Sequence, residues 1–385
     1  MRVLLTTVDP VEVGRGHYTH IKELVEGLEG RGVEVTMLFG YAGNPSIRCT
    51  GGFIDTGARL TRGDRLENKI KDFINQYLAI CAIKSYVRRF GRNYHLIYGR
   101  DWILGTLGEG FDVPRISEFN GVTSHLRTFK RRSFLDRIYL GLLKKRERRA
   151  VRNSSLVICV SESIRDYLSQ VICPDHMQKM RVIDNGVNLG YFQFDRSKFF
   201  ADRIRICFIG SFSYWHGTEY IVPALRPILE KYREVDLIFI GFGPNLGMVK
   251  AGLKDHCASG RVEFTGRLPV REAAKRLSDC HIGFSPHKPG VLGAPLKIRE
   301  YCAGGLALVA SGIAGTEFIK RNDLGVVVAP GDIDGFQKAF ESVLSDRNKM
   351  MEMGMQARKY AERHLSWRDS VDKVYAACKD VLRSS

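Results

Sequence analysis

The chain alternates short apolar runs with helical patterns along nearly its whole length, and this alternation limits the possible folds more than any other feature. The first half contains six runs that predict buried strands, RVLLTTV, VEVTMLF, HLIYG, PRISEF, LVICVS and MRVID, and the second half contains IRICFIG, VDLIFIG, RVEFTG, HIGFS, LALVAS and LGVVVA. Strands that alternate with helices favour parallel sheets. We therefore predict an α/β protein with two doubly wound parallel sheets, which bind ligands at the carboxyl ends of the strands in a cleft between two domains.

The length of the chain supports the division into two domains. At 385 residues it is too long for one ordinary hydrophobic core. The polar run QFDRSKFFADR, from Phe192 to about Asp202, separates the two series of strands. We predict an N-terminal domain over 1–195, a C-terminal domain over 196–365, and a last helix within 366–385 that packs back on the first domain.

The positive charge is concentrated in one segment. The net charge is +17, and between Arg127 and Arg152 eleven Lys and Arg residues face only Asp136 and Glu147. Six apolar residues recur there at helical spacing: Phe134, Leu135, Ile138, Tyr139, Leu142 and Leu143. The pattern predicts a basic amphipathic helix. Two interpretations stay open, because the apolar stripe can pack on its own domain or the helix can dock on an anionic membrane surface.

Other protein classes find little support in the sequence. No apolar run approaches the roughly 20 residues that span a bilayer, and the N-terminus shows no leader pattern, so we expect a cytoplasmic protein, peripheral to the membrane if the basic helix docks there. The nine cysteines form no C-x-x-C pair, which indicates reduced thiols rather than a disulfide framework or a zinc site. No nucleic-acid-binding motif accompanies the positive charge, so we expect no nucleic-acid partner.

The segment SPHKPGVLGAPLKIREYCAGG carries the clearest functional pattern. A predicted strand leads into a loop, and a helix is expected to open near Pro295 with Lys297 and Glu300 in its first turns. Backbone N–H groups at a helix start, beside a lysine, suit an anionic ligand such as a diphosphate. Glu300 would then accept hydrogen bonds from sugar hydroxyls; the alternative is a carboxylate that only favours the start of the helix.

Six segments, in order, resemble landmarks of the retaining glycosyltransferases of family 4, also called group 1. They are MRVLLTTVDPVEVGRG, VICVSESIRDYL, VIDNGVNLGYF, FIGSFSYWHGTEY, the pair LIFIGFGP and VEFTGRLP, and the segment around Glu300. The resemblance covers nearly the whole chain. It implies the GT-B architecture, two Rossmann-like domains facing a central cleft, and transfer of a sugar from a nucleotide-sugar donor, UDP- or GDP-sugar above all, to a hydroxyl of a glycan or glycolipid. It further implies no metal ion and no separate cofactor, and a place in cell-surface polysaccharide or glycoconjugate biosynthesis.

The same resemblance assigns candidate residues on the donor side. Lys297 would face the departing diphosphate, and Glu300 matches the second glutamate of the E-x7-E motif, which binds the ribose. The remaining nucleotide-binding candidates are Gly210, Ser211, His216, Gly241, Gly243, Arg267 and Leu268. The glycine loop after the first strand, Gly14 and Gly16, would face the donor phosphates and sugar.

Two positions depart from the family pattern. The first glutamate of E-x7-E falls at Leu292, so we expect backbone groups to hold the donor sugar, at Gly293, Ala294, Pro295 and Leu296. The histidine that often follows the strand PRISEF is replaced by Asn120. Two alternatives therefore stay open, a sugar-nucleotide 2-epimerase of the same fold and a catalytically degenerate binding subunit.

Polar residues after two first-half strands are the acceptor-side candidates. Arg100 and Asp101 follow HLIYG, while Glu118 and Asn120 follow the next strand. We predict that Arg100 contacts the acceptor and that Glu118 acts on its hydroxyl, with a structural salt bridge between the two as the alternative. Arg15, His17 and His125 are further acceptor candidates, although both histidines also suit a surface role. The predicted catalytic residues are Glu118, Asn120 and Lys297.

Overall fold

The computed structural model describes residues 1–8, 16–40, 47–56, 66–108, 112–126, 128 and 134–384, without the side chains of 66–73 and 134–135. The chain divides into two compact units. The first comprises Met1–Asp184 and Ser370–Ser385, and the second comprises Asn185–Asp369.

The first unit contains a sheet of seven parallel strands in the order β3-β2-β1-β4-β5-β6-β7. The strands are β1 (Arg2–Thr7), β2 (Glu34–Phe39), β3 (Phe53–Asp55), β4 (Leu96–Arg100), β5 (Arg115–Phe119), β6 (Leu156–Cys159) and β7 (Met180–Val182). Its helices are α1 (Gly16–Glu29), α2 (Leu66–Phe90), α3 (Thr123–Leu126), α4 (Phe134–Arg152) and α5 (Glu162–Tyr167). The sequence pattern did not indicate β3, because this strand is only three residues long and is not fully buried.

The second unit contains a sheet of six parallel strands in the order β10-β9-β8-β11-β12-β13. The strands are β8 (Ile204–Ile209), β9 (Val235–Ile240), β10 (Val262–Gly266), β11 (Ile282–Ser285), β12 (Ala307–Ser311) and β13 (Gly325–Val328). The helices that follow in the chain are α6 (Ile221–Lys231), α7 (Leu246–Gly252), α8 (Lys254–Ala258), α9 (Val270–Ser278), α10 (Leu296–Ala303), α11 (Glu317–Arg321), α12 (Ile333–Leu344), α13 (Arg347–His364) and α14 (Trp367–Arg383). The prediction of two doubly wound parallel sheets is confirmed.

Each sheet has an apolar core on both faces, as parallel sheets require. In the first unit, α1 and the last helix α14 cover one face, with Leu24 and Val374 in the same cluster. The other face is covered by α2, α4 and a short 3-10 helix, Asp101–Thr106, which contribute Ile83, Leu143 and Trp102. The last helix therefore belongs to the core of the first unit although it follows the second unit in the chain.

The units divide at Asp184–Asn185, before the predicted boundary at residue 195. Residues beyond Asn185 already pack in the second unit: the Val187 N–H donates to the Leu365 carbonyl at 2.7 Å, and Phe192 is buried in an apolar cluster with Tyr301. The run QFDRSKFFADR is not a linker, because it contains Phe199, which is buried in the other core of the same unit. The polar composition of this run gave no sign that Phe199 is buried.

Helix α4 only partly follows the predicted apolar stripe. Leu143 is buried and Tyr139 is half-buried against the core, whereas Ile138 and Leu142 are exposed. The described part of the helix is Phe134–Arg152, and residues 127 and 129–133 and the side chains of Phe134 and Leu135 lie outside the described ranges. Packing on its own domain therefore accounts for only part of the apolar pattern.

No helix within the described ranges has the length and the apolar composition to cross a membrane. All nine cysteines carry free thiols, and burial raises the pKa of several of them, as for Cys302 with a pKa of about 12.

Adjacent phenylalanines test whether the stretch after Asp195 belongs to the second core. Phe199 is 2% exposed and Phe200 is 68% exposed. Phe199→Ala should lower the free energy of unfolding by about 3–5 kcal/mol, because it leaves a cavity in the core. The matched change Phe200→Ala should shift it by less than about 0.5 kcal/mol. Urea denaturation of both variants checks this, and equal losses would show that the stretch does not anchor the unit.

Candidate functional site

The carboxyl ends of β8 and β9 approach each other closely, and glycine permits this. Gly210 has φ +137° and Gly241 has φ +130°. A Cβ atom at Gly241 would overlap the carbonyl group of Gly210, and one at Gly243 would fall 2.5 Å from the Phe212 nitrogen. The close approach of the two strand ends therefore requires glycine. Gly210, Gly241 and Gly243 are half-buried, so part of their main chain remains accessible to a ligand.

Lys297 lies in the first turn of α10 and extends toward the end of β8. Its Nζ is 4.2 Å from the centroid of the Phe208 ring, and a Cβ added at Gly210 would lie 3.3 Å from that Nζ. The residue is 6% exposed, and Nζ has no hydrogen-bond partner among the residues that the structure describes. Burial lowers the pKa of Lys297 to about 7, although the nearby Glu300 carboxylate raises it. A buried amine without a partner is a site where an anion would bind favourably.

Glu300 follows Lys297 by three residues and lies on the same side of the helix. Burial raises the pKa of Glu300 to about 7, and the positive charge of Lys297 opposes this rise. The first turns of α10 thus place a cation for phosphate groups next to a carboxylate that can accept hydrogen bonds from hydroxyls. The sequence prediction that α10 opens near Pro295 is confirmed, since the helix begins at Leu296 with Pro295 as its N-cap.

Two histidines lie beside Lys297, and both are neutral at physiological pH. The His216 and His287 rings meet edge to face with centroids 5.5 Å apart. Burial, followed by the positive charge of Lys297, lowers the pKa of His216 well below its ordinary value. Burial and Lys297 likewise lower the pKa of His287 to about 3. His216 Nδ1 is 2.6 Å from the Ser211 carbonyl oxygen. Because a carbonyl only accepts, Nδ1 carries the proton and Nε2 is the acceptor atom of this ring.

We call these residues the Lys297 cluster: Phe208, Gly210, Ser211, His216, His287, Lys297 and Glu300. It unites five of the predicted donor-side residues with Phe208 and His287, which sequence reasoning missed. Phe208 was hidden within an apolar strand. His287 stands two residues after β11 in the very segment that was singled out, and only its burial beside His216 shows its place in the cluster.

The other predicted donor-side residues have mixed outcomes. The Arg267 guanidinium stacks on the Phe242 ring, 3.9 Å from its centroid, so the ends of β9 and β10 do meet. Leu268 is half-buried, and its side chain packs partly against the core. Pro295 cannot donate a hydrogen bond because it lacks an N–H group. The predicted backbone cradle for the donor sugar is therefore reduced to the N–H groups of Gly293, Ala294 and Leu296.

In the first unit, Glu118 is buried at the carboxyl end of β5 with both carboxylate oxygens occupied. His20 Nε2 lies 2.7 Å from Oε1, which also accepts from the Asn120 side chain, and Oε2 accepts from the Tyr98 hydroxyl. Burial alone would raise the pKa of Glu118, but His20, Arg100 and Tyr98 lower it to about 2. Glu118 is therefore ionised at neutral pH and is a poor general base.

Arg100 and Asp101 complete this group, which we call the Glu118 cluster: His20, Tyr98, Arg100, Asp101, Glu118 and Asn120. Arg100 Nη1 is 3.0 Å from His20 Nδ1. Since a guanidinium only donates, Nδ1 accepts and Nε2 carries the proton that His20 donates to Glu118.

Asp101 ties the end of β4 to the end of β5. Asp101, at φ +55°, accepts the Asn120 backbone N–H at 3.0 Å. The structural contact between Arg100 and Glu118 that the sequence suggested therefore runs through His20, and Asp101 fixes the backbone on which Asn120 stands.

The predicted action of Glu118 on an acceptor hydroxyl does not fit this geometry. The carboxylate instead positions Asn120 and His20. Sequence reasoning missed His20 and Tyr98, although Tyr98 lies in the run HLIYG that predicted a buried strand.

The remaining acceptor-side candidates contribute less. Gly14 and Arg15 lie outside the described residues. Gly16 and His17 begin α1, where Gly16 is exposed and His17 is half-buried. The His125 ring packs edge to face against Tyr167 with centroids 4.9 Å apart, which gives it a packing role at the start of the segment that leads to α4.

Both units match models of glycosyltransferase families. A family model described as Glycosyl transferases group 1 matches residues 203–346, and one described as Glycosyltransferase Family 4 matches residues 14–191. Among characterised relatives, glycogen synthase from Mycobacterium tuberculosis is 23% identical over 292 residues, which cover 74% of this chain and 69% of that protein.

Solved structures show the same fold. Sucrose-phosphate synthase from Thermosynechococcus elongatus superposes with a TM-score of 0.81 and 20% identity over 100% of both chains. The Anabaena protein HepE, solved in complex with UDP and glucose, has a TM-score of 0.73 and 13% identity over 98% of this chain and 99% of its own. The GT-B architecture is thus confirmed.

The charge state of Glu118 predicts how acid affects stability. A carboxyl group whose pKa is lowered on folding stabilises the protein above its unfolded pKa, and this stability is lost as pH falls through the folded pKa. The shift from 4.5 to about 2 corresponds to about 3 kcal/mol, lost between about pH 5 and pH 2. Urea denaturation across this range should show a flatter pH dependence for Glu118→Gln than for wild type.

The exposed change Glu26→Gln provides the control and should keep the wild-type slope. If Glu118→Gln folds poorly, Tyr98→Phe gives a second test, because it removes only one of the hydrogen bonds that lower the pKa of Glu118. A slope that neither variant changes would contradict the assignment of an ionised, buried Glu118.

Proposed function

We propose, because the chain belongs to the group 1 glycosyltransferases, that it transfers a sugar from a nucleotide-sugar donor to a hydroxyl of a glycan or glycolipid, with retention of anomeric configuration. The observation that carries this proposal is the buried Lys297 Nζ without a partner, next to strand ends that expose backbone. A nucleoside diphosphate supplies the missing anion. The second unit then binds the donor, and the first unit binds the acceptor.

The donor nucleotide contacts the first turns of α10 in this proposal. Its diphosphate lies at Lys297 and Gly210, and its ribose hydroxyls donate to Glu300. The complex of HepE with UDP and glucose favours a UDP-sugar, while a GDP-sugar is the next choice. Because His216 and His287 are neutral, Lys297 is the cation of its cluster that neutralises the diphosphate.

Lys297 assists the chemical step by stabilising charge on the leaving group. Negative charge grows on the departing diphosphate as the glycosidic bond breaks, and a preorganised cation in a site of low dielectric stabilises it strongly. A bound diphosphate raises the pKa of the lysine, so the amine is protonated in the complex. We infer that this residue, and not a metal ion, supplies the positive charge, and that transfer needs no separate cofactor.

On the acceptor side, Asn120 is the residue that we expect to meet the reacting hydroxyl. Glu118 and Asp101 fix its side chain and backbone, so the Glu118 cluster positions Asn120. We further propose a cytoplasmic enzyme of cell-surface polysaccharide or glycoconjugate biosynthesis. It would act at the inner face of the membrane, where the exposed basic residues of α4 attract anionic lipids.

Leu292 supports a second candidate function. It is half-buried in the loop before α10, where related proteins carry a carboxylate toward the donor sugar. A subunit that binds a nucleotide sugar without transferring it would tolerate this change. Incubation with UDP-glucose and a panel of glycan and glycolipid acceptors, followed by NMR of the product anomer, separates the two functions and tests retention.

Replacing Lys297 should separate affinity from stability. Lys297→Met should weaken UDP-glucose binding by about 10- to 100-fold, because it removes a charge-assisted contact with the diphosphate. It should also raise the melting temperature of the unliganded protein, since it removes a buried amine without a partner. Isothermal titration calorimetry and thermal denaturation measure the two effects.

The exposed change Lys254→Met is the matched control and should alter neither quantity. Glu300→Gln should weaken UDP-glucose binding as well, through the ribose. A Lys297→Met variant with lower stability and unchanged affinity would show that Lys297 has a structural role only.

The pH dependence of donor binding tests the protonation of Lys297. In the unliganded protein its pKa is about 7, and a bound diphosphate raises it, so binding takes up a proton above pH 7. UDP-glucose affinity should therefore fall between about pH 7 and pH 9, by up to roughly tenfold per pH unit. The phosphodiester groups of UDP-glucose do not titrate in this range.

Lys297→Arg should bind UDP-glucose with little pH dependence, because arginine stays protonated. Glu300→Gln isolates the lysine from the carboxyl group that titrates beside it. A wild-type affinity that is constant up to pH 9, with no proton uptake in buffers of different ionisation enthalpy, would contradict this assignment.

A further inference from the structure

Two neighbouring helices of the first unit expose a concentrated set of large apolar side chains. Eleven large apolar residues are exposed in the described part of the chain, and five of them lie on α2 and α4. They are Ile74, Tyr77, Leu78, Ile138 and Leu142, each between 47% and 59% exposed. We call them the α2–α4 apolar face. The other six are scattered over other elements, so this concentration is local.

The two helices lie on the same face of the first sheet and meet at a side-chain hydrogen bond, which places these residues on one side of the unit. Both α2 and α4 cover the same face of the first sheet, through Ile83 and Leu143 in a shared apolar cluster. The Tyr139 hydroxyl of α4 donates to Gln76 Oε1 of α2 at 3.3 Å. Exposed apolar residues flank this bond on both helices.

The exposed stripe of α2 has the spacing of a second, outward-facing apolar face. Positions 74, 77, 78 and 81 are exposed, while 79, 80, 83 and 87 are buried against the sheet. The intervals of three and four residues place the exposed set on one side of the helix. The sequence pattern of the basic segment had drawn attention to α4 alone, so the contribution of α2 emerges only from the structure.

Positive charge follows the apolar residues along both helices, while Asp136 is an exposed carboxylate in the first turn of α4. On α4, Lys144, Lys145 and Arg149 are exposed in the turns that follow Leu142, and on α2, Arg88 and Arg89 end the exposed stripe. Residues 74–90 contain no acidic side chain. Two basic residues of α4 serve packing instead, since Arg146 stacks on Trp102 and Arg148 donates to the Ile172 carbonyl. Apolar side chains bordered by exposed cations match a surface of anionic lipid headgroups over acyl chains.

The topology also fixes which edge of the sheet this face adjoins. A helix that connects two parallel strands runs antiparallel to them, so it begins near their carboxyl ends. The five apolar residues lie in the first half of α2 and the first half of α4. Ile74 and Ile138 therefore lie toward the edge of the first sheet that carries the Glu118 cluster, whereas Tyr77, Leu78 and Leu142 lie near the middle of their helices.

We propose that the α2–α4 apolar face inserts into the headgroup region of an anionic lipid bilayer, with the neighbouring lysines and arginines at the lipid phosphates. The surface holds the first unit at the membrane, where a lipid-linked acceptor is presented. Only this last clause rests on the proposed function; the docking itself requires no glycosyl transfer.

Vesicle flotation of the full-length protein tests the proposal. Wild type should float with vesicles of phosphatidylcholine and phosphatidylglycerol at low salt, and much less with phosphatidylcholine alone. Ile138→Ser with Leu142→Ser should lower the partition coefficient by about 10- to 100-fold, because two apolar side chains are withdrawn from the bilayer. Lys145→Gln with Arg149→Gln should lower it by about 30-fold and reduce its salt dependence.

Matched controls come from the second unit. Met248→Ser removes an equally exposed apolar side chain, and Lys254→Gln with Lys359→Gln removes two exposed charges. Both controls should float like wild type. Circular dichroism and the thermal shift caused by UDP-glucose should stay unchanged in every variant, which separates a failure of docking from a failure of the donor site.

Tyr77→Trp distinguishes insertion from simple charge attraction. Its fluorescence should shift to the blue on anionic vesicles if this side chain enters the headgroup region, whereas a Met248→Trp control should not respond. If Lys254→Gln with Lys359→Gln lowers flotation as strongly as Lys145→Gln with Arg149→Gln, the proposal is overturned. So would unchanged flotation of the Ile138 and Leu142 variant combined with a loss of self-association in light scattering, since the face would then be a contact between two copies of the chain.

Discussion

The structure of the second unit is organised around one buried charge that the described residues do not neutralise. Lys297 extends into the space that Gly210 leaves open and places its amine against the face of Phe208. A cation over an aromatic ring gains some attraction, but this does not replace a hydrogen-bonded anion. The two adjacent imidazoles are held neutral, so neither repels nor replaces the lysine. The ends of β8 and β9, the neutral histidine rings and the start of α10 thus favour one kind of ligand. This ligand is a polyanion whose hydroxyl groups donate to Glu300.

In the Glu118 cluster of the first unit, by contrast, the buried charge has its partners within the protein. Its carboxylate is equally buried, yet it accepts hydrogen bonds from His20, Asn120 and Tyr98, and its pKa falls to about 2 as a result. The folded protein supplies hydrogen bonds to the Glu118 carboxylate, whereas the Lys297 amine has no hydrogen-bond partner among the described residues. The same type of sheet therefore carries a preorganised support for Asn120 in one unit and an unsatisfied binding group in the other.

What the sequence could predict depended on whether the signal was local. The parallel sheets followed from the alternation of strands and helices, and Lys297 and Glu300 followed from their spacing after Pro295. The partners of Glu118 could not be derived in this way, because His20 is distant in sequence and reaches the carboxylate only after β1, β4 and β5 have paired. Phe199 illustrates the same limit, since it lies in a polar run although tertiary packing buries its side chain.

The position of the α2–α4 apolar face gives the acceptor side a physical logic. A lipid-linked hydroxyl stays close to the headgroups, so an enzyme that uses it must bring its acceptor residues to that depth. In a parallel sheet the carboxyl ends of strands and the starts of the covering helices share one edge. Asn120 lies at that edge, and the exposed apolar residues lie in the first halves of α2 and α4. Basic residues further along α4 set how strongly the face is attracted to lipid, while the apolar residues set how far it enters. Attraction and depth are thus controlled by different side chains, and salt should weaken the first without changing the second.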